Sequence, residues 1–172
     1  LLMAFPWAGA TTAAVVDGAF LVILATYVWR EIVVARSWDR APIGVLVSFF
    51  AGANILFHLA ALRGMPTDLP ERLALSVMTM LLTIIGGRLA PTFTRDYLAD
   101  RHVSRLPEVF SQTDGGAIIL VLVSVISWII GPESMWTGTA LFVAGVASVV
   151  RLFRWGGWRT WKEPLVLILH IG

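Results

Sequence analysis

Cysteine is absent. That excludes a disulfide framework and thiolate ligation of a metal, so any metal here has to use His, Met, Asn or carboxylate side chains. Charge is scarce as well: 14% of the 172 residues are charged, against about 25% in an average soluble domain. No activated nucleophile, close carboxylate pair or phosphate-cradling glycine loop is visible, so the sequence supports no particular reaction. Strand-like alternation, internal repeats and low-complexity tracts are missing too. The opening, LLMAFPWAGA, lacks the basic flank of a signal peptide.

What fills the chain instead is apolar: 58% of residues are hydrophobic, and the mean hydropathy is +0.81. Such a composition fits a lipid-solvated protein. The expected fold is an all-α polytopic transmembrane bundle, with residues 1–172 as one helical domain. Five full spans are predicted at about 11–29, 41–62, 71–87, 114–130 and 135–152, with a sixth at 164–172 ending partway through an apolar run. From its two ends the chain reads as a piece of a longer membrane protein. Pro42 falls in the first turn of the second span, where a helix accepts proline. Several of the eight tryptophans (Trp29, Trp38, Trp136, Trp155, Trp158, Trp161) fall at the ends of apolar runs, as in an interfacial aromatic belt.

The cations test this count. A net charge of +2 and a pI near 9.7 could suggest nucleic acid, but the arginines lie in the gaps between apolar runs. Eleven of the 13 Lys and Arg residues fall in alternate gaps (30–40, 88–113 and 151–163), and only Arg63 and Arg72 fall on the other side. The positive-inside rule then makes the odd-numbered loops cytoplasmic. The expected partner is the bilayer, not nucleic acid.

Polar residues inside the spans are few, so each is informative. Asn54 and His58 are four apart on one helix face, next to a small-residue row of Gly44, Ser48 and Gly52 that lets another helix approach. His58 is a candidate haem or copper ligand with Asn54 orienting it; a histidine hydrogen-bonded between helices is the equally weighted alternative. Ser76, Thr79, Thr83 and Gly86 line one face of the third span, and read first as packing. Met78 and Met80 read as core filling. Asp17 lies within the first span. Asp114 precedes Gly115–Gly116 and reads as a helix cap. His170 lies about six residues past Pro164, roughly 9 Å into the core, and His58 roughly 6 Å in from the opposite side. In a core of about 30 Å they differ in height by roughly 15 Å, too far to ligate one haem together.

The stretch Ile84–Leu98, IIGGRLAPTFTRDYL, joins an apolar run, a glycine pair, arginines and a proline. The third helix is expected to end at Gly87–Arg88, with a long polar link over Arg88–Thr113. Arg88, next to Gly86–Gly87 where a backbone can be approached closely, and Arg95 are candidates to pair with an anionic group such as a lipid phosphate or a haem propionate. IGGRLAPTFTRDYL, with NILFH before it and WRTWKEPLVLILH after it, resembles the NnrS family, over most of the chain. That resemblance implies a bacterial inner-membrane protein containing haem and copper and linked to nitric oxide, of which this chain would be about half of some twelve spans. It implies haem as cofactor, copper as a further one, and nitric oxide and the remaining helices as partners. It transfers no ligand assignment, so His58, His170, Asn54, Arg88 and Arg95 stand as candidates from chemistry and motif position, with His58 and His170 as the metal ligands. Three rivals stay open: a haem-dependent nitric oxide oxidoreductase, a carrier for a small solute, anion or metal complex lined by Asn54, Ser76, Thr79 and Thr83, and a structural membrane subunit.

Overall fold

The structure, a computed structural model, describes residues 9–101, 108, 110–161, 163, 166 and 168. Its regular elements there are all helical. Five long helices run α1 (Ala10–Val34), α2 (Ala41–Leu62), α3 (Asp68–Asp100), α4 (Gln112–Ile130) and α5 (Met135–Arg154), with short 3-10 turns at Trp38–Arg40 and Gly157–Thr160. Each of the five is long and apolar enough to cross a membrane. Large apolar side chains point outward along them, Ile23 at 68% exposure and Phe142 at 73%, as helices solvated by lipid require. The sixth expected span lies mostly outside the described residues. The chain divides into two compact units, Leu1–Thr79 and Met80–Gly172.

In the first unit α1 and α2 form an antiparallel hairpin. Both helices close in the same way. After α1, Arg36 adopts a left-handed conformation (φ 50°), and the amides of Arg36 and Ser37 return to the carbonyls of Val33 and Ile32. After α2, Gly64 (φ 65°) does the same, with Gly64 and Met65 returning to Ala61 and Ala60. This six-to-one closure satisfies carbonyls that a helix end otherwise leaves bare. Glycine suits the left-handed position; arginine there carries a steric cost. The small-residue row on α2 is used in part. Gly44 lies against Trp29 and Ile32 of α1. Ser48 Oγ accepts a hydrogen bond from Trp29 Nε1 (2.9 Å) and donates to the Gly44 carbonyl (2.9 Å). Gly52, the third member, faces open space.

The second unit is built on an antiparallel α4–α5 hairpin. Its turn, Gly131–Ser134, is tied by Thr137, whose hydroxyl lies 2.6 Å from the Gly131 carbonyl and 3.1 Å from that of Ser127. Two helix ends differ from expectation. α1 continues through Arg30 to Val34, which shortens the first link. α3 does not end at Gly87–Arg88: it runs uninterrupted through Pro91 to Asp100, 33 residues in all, where a crossing helix needs about 20. Proline at 91 cannot donate to the Gly87 carbonyl, which by itself weakens a helix. Here the neighbouring threonines fold back onto the same helix, Thr92 to the Arg88 carbonyl and Thr94 to the Ala90 carbonyl (2.7 Å each). These bonds add donors to the turns around the proline, at carbonyls other than that of Gly87.

The packed Gly44 and the open Gly52 of α2 yield a prediction. A Cβ at Gly44 would sit 3.0 Å from Ile32 and 3.1 Å from Trp29, so Gly44→Val should destabilise the hairpin by about 1–3 kcal/mol, the usual cost of overpacking. Gly52→Ala should leave stability unchanged or raise it by up to about 1 kcal/mol through helix propensity. Thermal unfolding of both variants in detergent checks the contrast.

Candidate functional site

Two polar knots lie within the span-forming helices. The first joins α1 to α2. Seven residues into α1, Asp17 faces the turn of α2 that carries Asn54 and His58. Asn54 Nδ2 donates to Asp17 Oδ2 at 2.7 Å, and His58 Nε2 lies 2.9 Å from the same oxygen. Gly18 leaves room beside Asn54: a Cβ there would lie 3.9 Å from its Oδ1. The His58 ring also meets Phe57 edge-on, with centroids 5.6 Å apart. The spacing of four between Asn54 and His58 thus does what the helix period requires, and Asp17 is the partner that the sequence did not identify.

This cluster is incompletely satisfied. Both donors use one oxygen, Asp17 Oδ2. Asn54 Oδ1 is buried with no hydrogen-bond partner. Among the described residues, neither Asp17 Oδ1 nor His58 Nδ1 has a hydrogen-bond partner. In the neutral tautomer that donates Nε2–H to the carboxylate, Nδ1 would carry the lone pair. A carboxylate that fixes the tautomer and leaves the other nitrogen bare is the arrangement found behind metal-bound imidazoles.

The second knot joins α3, α4 and α5, and is saturated. Asp114 is 2% exposed and Arg151 5%. Arg151 Nε donates to Asp114 Oδ1 at 2.8 Å, and Nη1 donates to the Thr83 carbonyl at 3.1 Å. The other carboxylate oxygen accepts the Ser111 amide (2.9 Å) and hydroxyl (2.8 Å). The Arg151 guanidinium also lies 4.9 Å from the Trp155 ring, and Arg154 Nη1 donates to Ser111 Oγ at 2.6 Å. Any side chain at Gly87 would run into the Arg151 guanidinium. The close approach expected at the glycine pair is therefore made by Arg151, not by a partner of Arg88. Ser111 is the N-cap of α4, and Asp114, expected as the cap, is the N3 member of its capping box; it also holds Arg151, a cation expected in the basic gap after the fifth span. Its one sequence signal is position: Arg151 falls a turn before the end of α5, so it is a charge within a helix that crosses. With the Asp114 carboxylate and the Arg151 guanidinium bonded to each other and to their neighbours, this knot fastens the three helices.

The other candidates are placed separately. Arg88 and Arg95 are exposed on α3, and neither side chain has a partner among the described residues. Ser76 is buried with its hydroxyl unpaired, whereas Thr79 donates to the Leu75 carbonyl of its own helix (2.8 Å). Met80 is buried and Met78 exposed. His170 lies outside the described residues, as does His102. No group of three or more His, Cys, Asp or Glu side chains able to hold a metal occurs among the described residues.

The saturated knot generates a prediction. Asp114→Asn or Arg151→Met leaves a buried charge without its partner and should cost about 3–5 kcal/mol of stability. Gly87→Ala should destabilise through the same guanidinium, so a Gly87→Ala, Arg151→Met double-mutant cycle should fall short of additivity by more than about 0.5 kcal/mol. Thermal or denaturant unfolding of the three variants measures it.

Neither a curated protein nor a solved structure matches this chain. The family model described as NnrS protein matches residues 1–172, the whole sequence. A chain of membrane-span helices that this model covers from end to end belongs to the NnrS family.

Proposed function

We propose that this chain is a haem-binding protein of the bacterial inner membrane that acts in the response to nitric oxide, and that His58 would be one of the residues that hold the haem. The observation that carries the assignment of the ligand is the half-satisfied cluster between α1 and α2. The described residues fit a single imidazole ligand: His58 keeps one ring nitrogen bare, and Asp17 and Asn54 behind it hold the ring in place. They do not fit a copper site of three His or carboxylate ligands, because no such group occurs among them. When bound, haem supplies an iron centre able to take up a diatomic molecule such as nitric oxide.

The chain's own contribution is orientation. Asp17 accepts the Nε2–H of His58, which selects the tautomer and raises the basicity of the opposite nitrogen. Asn54 donates to the same oxygen and keeps the carboxylate turned toward the ring. An open apolar groove of about 500 Å³ runs along the α1–α2 seam from Ile55 to Trp29 and Ser48, one helical turn from His58, which does not line it. Arg88 and Arg95 stay available to an anionic group, such as a lipid phosphate or a haem propionate. The charge asymmetry of the gaps supports cytoplasmic odd-numbered loops. The buried, unpaired oxygens of Asn54 and Ser76 favour a second reading, a polar path for a small solute.

The deciding measurement is the ultraviolet–visible spectrum of the purified protein, oxidised, reduced with dithionite and exposed to nitric oxide. The expected outcome is a Soret band that shifts with nitric oxide and is lost in His58→Ala while the helical signal is retained. Asp17→Asn should weaken haem retention by about 10–100-fold, the usual effect of removing a carboxylate behind a ligand. His170→Ala tests the second candidate ligand. A band unchanged in both histidine variants would move the ligands elsewhere. A colourless protein from haem-replete cells would remove haem binding and favour the solute path, which predicts uptake without a chromophore.

A further inference from the structure

The corner where α1 turns into α2 holds a concavity of about 200 Å³. The left-handed Arg36 makes it: by reversing the chain directly after α1, it brings Ser37 and Arg40 round to face Tyr27 and Glu31 on the last turns of that helix. The floor is apolar, with Ile32 from α1 and Ile43 from α2. The corner lies between Trp29 and Trp38, where two apolar helices end among Arg30, Arg36 and Arg40. Aromatic and basic residues at the end of an apolar run mark the level of lipid headgroups.

The charges on the rim narrow the ligand. Glu31 and Arg40 line one concavity but do not pair with each other. Glu31 has its ion pair with Arg30, long at 3.4 Å and with both side chains more than half exposed, an arrangement of little strength. The Arg40 guanidinium has no side-chain partner among the described residues. Arg30, Arg36 and Asp39 are the other charged groups at this corner. A free phosphate would meet Arg40 but be opposed by Glu31, and an amine alone would leave Arg40 unused. A molecule carrying a phosphate and a primary ammonium a few bonds apart, on an apolar stem, meets both rim charges and the floor together.

We propose that this corner binds the headgroup of a zwitterionic phospholipid with a primary amine. Its phosphate is held by Arg40, with the Ser37 and Tyr27 hydroxyls at hand, its ammonium is held by Glu31, and its glycerol edge lies on Ile32 and Ile43. The guanidinium suits a phosphate because it offers paired donors in a fixed plane. The carboxylate suits a primary ammonium over a quaternary one because only the former has N–H groups to donate.

Native mass spectrometry of the purified chain tests this, with phosphatidylethanolamine, phosphatidylcholine and phosphatidylglycerol of identical acyl chains supplied in equal amounts. Phosphatidylethanolamine should be retained about fivefold better than the other two, as one added charge-assisted hydrogen bond allows. Glu31→Gln should bring it down to the level of phosphatidylcholine. Arg40→Gln should lower retention of all three lipids. Both positions are exposed, so circular dichroism should show the helices intact. Phosphatidylglycerol retained as well as phosphatidylethanolamine would overturn the proposal in favour of a plain basic patch. An order of retention that survives Glu31→Gln, or retention unaffected by Arg40→Gln, would overturn it as well.

Discussion

A charged side chain in hydrocarbon must find its opposite or reach water, and the internal order of this chain follows from that constraint. The strongest instance is Asp114 with Arg151. Removing two ions from water costs several kcal/mol each, and only good geometry with further hydrogen bonds offsets it. Ser111, Trp155 and the Thr83 carbonyl supply those bonds. The demand extends to the backbone, because the guanidinium reaches its place only where Gly87 presents no side chain. One ion pair thereby fixes the residue type at a position on a third helix.

The cluster of Asp17, Asn54 and His58 obeys the same constraint less completely. Its groups are paired well enough to hold still but not well enough to be finished. A fastening gains from satisfying every lone pair, whereas a binding site must keep some in reserve. A saturated knot and an unsaturated one thus stand in contrast, both within span-forming helices of one chain.

Much of this was legible in the sequence. Helix type and the first five spans followed from long apolar runs, and α2 was placed at its observed ends because Pro42 and Gly64 mark them by backbone chemistry. The spacing of Asn54 and His58 gave two of the three residues of the α1–α2 cluster. Asp17 was visible as a charge inside a span, but its pairing with residues 37 and 41 positions away is tertiary and leaves no local trace. The continuation of α3 was missed because Pro91 and Gly86–Gly87 are breakers in water. The helix nevertheless runs through Pro91 to Asp100, with the Thr92 and Thr94 hydroxyls bonded to the Arg88 and Ala90 carbonyls around it. Arg151 was grouped with the basic gap because neighbouring Arg154 and Arg159 set its apparent context; only the position of Asp114 across the hairpin shows what it is for.

The placement of the ion pair on the α4–α5 hairpin bears on how that hairpin enters a bilayer. Asp114, Arg151 and Arg154 all lie at the open end, and the closed end at Gly131–Ser134 carries Glu133 as its one ionisable group. Insertion tip-first carries a single carboxylate across the hydrocarbon and leaves the paired charges at the entry face. The clasp that fastens the two helices is then also a depth stop, which sets how far the hairpin travels before it lodges.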